Sequence, residues 1–177
     1  MTRKKKAEEG AKHHGSQSRS VKKTRGVVAI EFAFIFPAFF ILFYAIITYG
    51  LIFAAQHTLA LAAAEGGRAA LRYPGGATDS LSVRQNNACA AALLPLGWLR
   101  NMGGLGAGSG CSASASAPGV YVKDDGCPYA PLLRCFTVTV RYAYQDHPMV
   151  PQLLGNFLRL PTPNTLQGAA VVQVSAL

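Results

Sequence analysis

The feature that most constrains this chain is a single apolar run. Val27 to Ala55 reads VVAIEFAFIFPAFFILFYAIITYGLIFAA, 29 residues with one charge, Glu31. As a helix rising about 1.5 Å per residue, it would span roughly 44 Å. The hydrocarbon core of a bilayer is about 30 Å thick and needs about 20 residues. The run is therefore long enough to cross a membrane and continue beyond it. A cleaved secretory signal fits poorly, because its apolar region is normally about 7–15 residues long. Ala62-Ala63-Ala64 resembles a small-residue cleavage site but lies well past the run. Pro37 removes one helical hydrogen bond, which membrane helices tolerate when neighbouring groups satisfy the freed carbonyl.

Charge orients the anchor. Residues 1–25 hold nine basic and two acidic side chains, a net +7 of the chain's +9, so the remainder is nearly balanced. Basic residues directly before a membrane helix stay on the cytoplasmic side. The same block could attract nucleic acid, but its position favours topology, and no nucleic-acid partner is expected. His13 and His14 read as solvated residues. The expected organisation is a basic cytoplasmic leader (1–26), a transmembrane helix (27–55), a periplasmic extension of that helix (56–73) and a periplasmic head (74–177). Membrane lipids are then the first expected partner, and the inner membrane is the expected location.

Glu31 is the costly residue of the run. A carboxylate at the centre of a bilayer costs about 2.5–3.5 kcal/mol on insertion scales. Glu31 lies about 6 Å from the start of the run, nearer the interface. An indifferent interfacial carboxylate is one reading; a charge awaiting a partner in an assembled state is the other. The surrounding residues favour the second. Arg25-Gly26 is followed by Val27-Val28-Ala29-Ile30-Glu31-Phe32. A basic leader, a glycine, and a glutamate five residues later in an apolar helix resemble the type IV prepilin signal. GVVAIEFAFIFP further resembles the opening of TadE-like proteins, the minor pseudopilins of tight-adherence (Flp-type) pilus systems. Leu61-Ala62-Ala63-Ala64-Glu65-Gly66-Gly67-Arg68 matches that family's Ala-rich, Glu-Gly-x-Arg stretch. The resemblance covers residues 25–72. It implies cleavage after Gly26 by a prepilin peptidase, a new amino terminus at Val27, and Glu31 at position five of the mature chain. It also implies other pilins or pseudopilins and inner-membrane pilus assembly proteins as partners. An uncleaved single-pass assembly factor shares everything except the fate of residues 1–26.

Beyond the run, alanine-rich sequence continues the helix to Tyr73, with Pro74-Gly75-Gly76 ending it. Glu65 and Arg68, three residues apart, can pair on its surface. Thr78 to Leu96 reads as a second helix, capped by Thr78 or Asp79 and ended by Pro95. Residues 103–119 are a Gly/Ser-rich loop. Val120–Val122 is a short strand candidate. Leu132–Tyr144 is a clearer one, with Phe136, Val138, Val140 and Tyr142 on one face. His147 to Pro163 is a turn-rich connection, and Leu166–Val174 a last strand. The expected fold is α+β: a long N-terminal transmembrane helix continuing into a small pilin-like head with a short antiparallel sheet.

All four cysteines follow the anchor, as suits an oxidising compartment. Three pairings are possible, of which Cys89–Cys111 with Cys127–Cys135 is favoured. No Cys-x2-Cys pair is present and His147 is the only nearby histidine, so a zinc site is not expected. No nucleophile–base pair or phosphate loop emerges. Asp124-Asp125-Gly126 reads as turn chemistry. Neither a catalytic residue nor a cofactor is expected; the residual enzymatic reading is an unrecognised site in the head.

Overall fold

The computed structural model describes residues 24–72, 81–106, 111, 114–127, 129–151 and 161–175. The leader up to residue 23, the helix-ending Pro74-Gly75-Gly76, the cap candidates Thr78 and Asp79, and the middle of the Gly/Ser-rich loop lie outside the described residues. The chain divides into two compact units, Met1–Ile41 and Leu42–Leu177.

The first unit contains the opening of helix α1 (Thr24–Leu71). Every residue from Gly26 to Ile41 is exposed, which for an apolar helix requires a non-aqueous surrounding. Phe32, Phe36 and Phe40 recur at four-residue spacing and their rings form a ladder, with centroids 5.4 and 6.3 Å apart. Pro37 is accommodated within the helix.

The second unit is an α+β head built around the rest of α1. From Thr48 onward the helix acquires a buried stripe: Thr48, Ile52, Ala55, Leu59, Ala62, Ala63, Gly66 and Ala70 recur every three or four residues. Helix α2 (Leu81–Leu93) packs on this stripe where side chains are smallest. A Cβ at Gly66 would lie 2.9 Å from the Ala88 carbonyl and 3.1 Å from the Ala92 Cβ. Arg84 of α2 is buried, and its guanidinium donates to the Ala70 carbonyl at 3.0 Å. One of the last carbonyls of α1, which has no partner within the helix, is thereby satisfied by a cation at the negative end of the helix dipole.

The sheet has three antiparallel strands in the order β1-β2-β3: Gly119–Cys127, Ala130–Tyr142 and Leu166–Ser175. Its inner face carries Val120 and Val122 from β1, Phe136, Val138, Val140 and Tyr142 from β2, and Leu166, Ala170 and Val172 from β3. These join Leu59, Leu96, Leu99 and Leu105 in the core. The alternation expected in the central strand is present, and all four of its inner residues are fully buried.

Two local expectations are corrected. Asp124-Asp125-Gly126 is strand, not turn: the three residues pair with Phe136, Cys135 and Arg134, and the hairpin reverses only after the irregularity at Gly126/Cys127. Cross-strand pairing, the Cys127–Cys135 tie and the Lys123–Asp125 contact at 2.6 Å override the local turn preference of Asp and Gly. Second, Pro95 ends α2 but not the helical path. A 3-10 turn (Leu94–Leu96) accepts the proline in its opening positions and leads into α3 (Gly97–Asn101).

Candidate functional site

Gly26, Val27 and Glu31 lie in the first turns of α1 and are all exposed. Among the described residues there is no packing reason for glycine at 26. A Cβ there would meet no atom within 4 Å, and the residue is helical, where glycine costs about 1 kcal/mol against alanine. Gly66, Gly67 and Gly168 contrast with it, since each faces a neighbour that a Cβ would crowd. Val27 and Val28 are about two-thirds exposed. Glu31 projects from an apolar helix seven residues after its first turn begins, beyond the reach of the dipole at that end. In a chain beginning at Val27, the same carboxylate would stand one turn from a positive amino terminus.

The other expected site residues are in the head. Cys89 lies against Cys111 and Cys127 against Cys135, both at disulfide distance, with Cα–Cα distances of 5.9 and 5.0 Å. The first pair ties α2 to the loop residue that bridges to Val120. The second staples the β1–β2 hairpin near its turn. Glu65 and Arg68 form the surface pair expected of them, at 2.7 Å. Among the described residues, no group of three or more His, Cys, Asp or Glu side chains comes together to hold a metal.

Two tyrosines escaped sequence reasoning. The Tyr44 hydroxyl donates to the Pro151 carbonyl and the Tyr49 hydroxyl to the Pro161 carbonyl, each at 3.1 Å. The available signal was that both occur late in the apolar run, where tyrosine is typical of a membrane–water interface. Their partners, more than 100 residues away, could not be inferred from spacing.

Fold and exposure define a class: a long apolar N-terminal helix, suited to membrane anchoring, whose second half is the spine of a small α+β head. Within that class, residues 26–68 match the family model of TadE-like protein. The match begins at the glycine before the apolar run and ends at the arginine of the Glu-Gly-Gly-Arg stretch, so it covers the anchor and the helical spine but not the sheet. No curated protein and no solved structure matches the chain. TadE-like proteins are components of pilus assembly and are not known as enzymes, so the match points to a role in the tight-adherence (Flp) pilus system.

Proposed function

We propose that this chain is a membrane-anchored minor pseudopilin of a tight-adherence type IV pilus or a related secretion apparatus. Its basic leader stays in the cytoplasm, its head lies in the periplasm, and a prepilin peptidase of the inner membrane cuts between Gly26 and Val27. The observation that carries this reading is Gly26 itself. It opens the family match, yet nothing among the described residues needs a glycine there. A peptidase that must bring the scissile backbone close has a use for a missing Cβ. Glu31 then acquires a role: in a poorly hydrated assembly its carboxylate pairs with the freed Val27 amine, a contact far stronger than it would be in water. Other pilins or pseudopilins and inner-membrane assembly proteins are the partners against which the exposed apolar helix packs. The head contributes a disulfide-braced surface.

The test is the mass of the mature amino terminus in protein taken from its own host. A terminus at Val27 is expected. A terminus at Met1 or Thr2 would replace the pseudopilin reading with that of an uncleaved single-pass assembly factor.

A further inference from the structure

We propose that Tyr44, Tyr49, Met149, Pro151 and Pro161 form a collar at the lipid–water boundary, so that the head rests directly on a phospholipid surface. The proposal depends on the anchoring of α1 in a membrane but not on cleavage or on pilus assembly.

Exposure along α1 measures the bilayer. Gly26 to Ile47 is a stretch of 22 residues with no buried member; Thr48 is the first that is buried. Twenty-two residues rise about 33 Å, close to the roughly 30 Å of the hydrocarbon core. From Thr48 onward the head covers one side of the helix, through Ile52, Ala55 and Leu59. The hydrocarbon therefore ends near Tyr44–Tyr49 rather than at Ala55, and no bare stalk separates bilayer from head.

The head is clamped at that level. Tyr44 and Tyr49, five residues apart on α1, hold the carbonyls of Pro151 and Pro161. Tyr144, two residues past the end of the central strand, is also close to Tyr44: that neighbour adds to the burial that raises its pKa. With its hydroxyl engaged by a carbonyl, each helix tyrosine offers an apolar ring to the acyl boundary and keeps its polar end satisfied, the arrangement that favours tyrosine at membrane interfaces. Met149, packed against the core, is only partly buried.

The helix itself identifies the partner as lipid. The 22 residues that lead to the collar carry one charge, Glu31, and none of them is buried. Pro151 and Pro161, whose carbonyls the two tyrosines hold, are themselves exposed at that level.

The test uses full-length protein in liposomes whose phospholipids are brominated high on the acyl chains or, for the reporter at 36, near the chain ends. Trp98, the single tryptophan, is replaced by Phe, and one reporter is introduced at a time. Met149→Trp and Pro161→Trp are two independent collar reporters, so a folding defect in one leaves the other. Leu94→Trp is the distal control. Leu94 shares a shallow pocket with Ala69 and Arg72 at the far end of α1, and Ala69 is twenty residues, about 30 Å, beyond Tyr49. Phe36→Trp reports insertion. The expected result is at least twofold quenching at 36, 149 and 161, with emission from 94 unchanged. Quenching at 36 but at neither collar position would overturn the proposal while leaving the anchor intact. Absence of quenching at 36 would overturn the anchored reading and this proposal with it.

Discussion

Gly168 of β3 lies directly against the backbone of Leu59 in α1, so close that a Cβ at 168 would overlap the Leu59 carbonyl and the Ala60 nitrogen. Backbone cannot move aside as a flexible side chain can. This contact sets how near the sheet lies to the helical spine. Gly168→Ala is expected to destabilise the head by about 1–3 kcal/mol, the usual cost of overpacking. Gly97→Ala is the control. Gly97 is helical with open space at its Cβ position, so alanine there should be neutral or stabilising by up to about 1 kcal/mol. Thermal unfolding in detergent, with both variants measured against wild type, distinguishes them. Equal midpoints for Gly168→Ala and wild type would show that the sheet does not approach Leu59 this closely.

Tyr142 and Tyr144 predict a loss of stability at alkaline pH. Burial is the main cause raising both hydroxyls above their ordinary value of 10.0. A neighbouring tyrosine acts in the same direction on each: Tyr144 on Tyr142, and Tyr44 on Tyr144. The sign follows from linkage. A pKa raised in the folded state means that folding favours the protonated form. The associated stability is complete below the unfolded value of about 10 and is lost as pH rises through the folded value. Unfolding midpoints should thus fall above pH 10, together with the appearance of tyrosinate absorbance. Tyr142→Phe should reduce that alkaline loss. It should also lower neutral-pH stability by about 0.5–1.5 kcal/mol, because the hydroxyl donates to the His147 carbonyl at 2.9 Å. An alkaline profile identical in wild type and Tyr142→Phe would remove Tyr142 as a contributor.

The parts of this architecture legible in the sequence are those encoded by short-range spacing. Phe136, Val138, Val140 and Tyr142 alternate, so their shared face could be read directly. Gly26 and Glu31 are five residues apart in one helix, so their conjunction was visible without a fold. What remained hidden depends on long-range contacts. Asp124-Asp125-Gly126 has local turn chemistry, and only its pairing with residues 134–136 makes it strand. The helical turn after Pro95 exists because Leu96 and Leu99 have a core to enter. The two tyrosine clamps join positions whose sequence separations are 107 and 112. The apolar run alone could not show where membrane ends and head begins, because the lipid-facing and head-facing parts of α1 are both apolar.

The two disulfides should contribute unequally. Cys89–Cys111 closes a separation of 22 residues and Cys127–Cys135 one of 8. In the chain-entropy description, these loops correspond to about 3 and about 2.5 kcal/mol. The shorter one also lies in a hairpin already held by strand pairing. Replacing Cys89 and Cys111 together by Ser is therefore expected to lower the unfolding midpoint more than replacing Cys127 and Cys135. In protein alkylated on extraction from intact cells, all four thiols should be protected until a reductant is added. Four freely alkylated thiols would place the head in a reducing compartment and contradict the proposed topology.

The processing proposal separates two residues that the family match brings together. Gly26 acts before assembly and Glu31 during it, so their substitutions should fail at different steps. Gly26→Leu leaves the anchor and its charge pattern unchanged and should insert normally, but the chain should keep its leader, since a large side chain would stand at the scissile peptide. Glu31→Ala removes a carboxylate whose burial in the membrane is only a cost during insertion. That variant should insert at least as well as wild type and still be cut after Gly26, yet enter pilus complexes poorly, because the Val27 amine would be left without its partner. Glu31→Asp keeps the charge on a shorter side chain and should recover part of the assembly. The readouts are chain mass for cleavage, membrane fractionation for insertion, and co-purification with crosslinked pilus components for assembly. Normal assembly of Glu31→Ala would leave the carboxylate without the role assigned to it. Its failure to insert would move that role from assembly to the anchor itself.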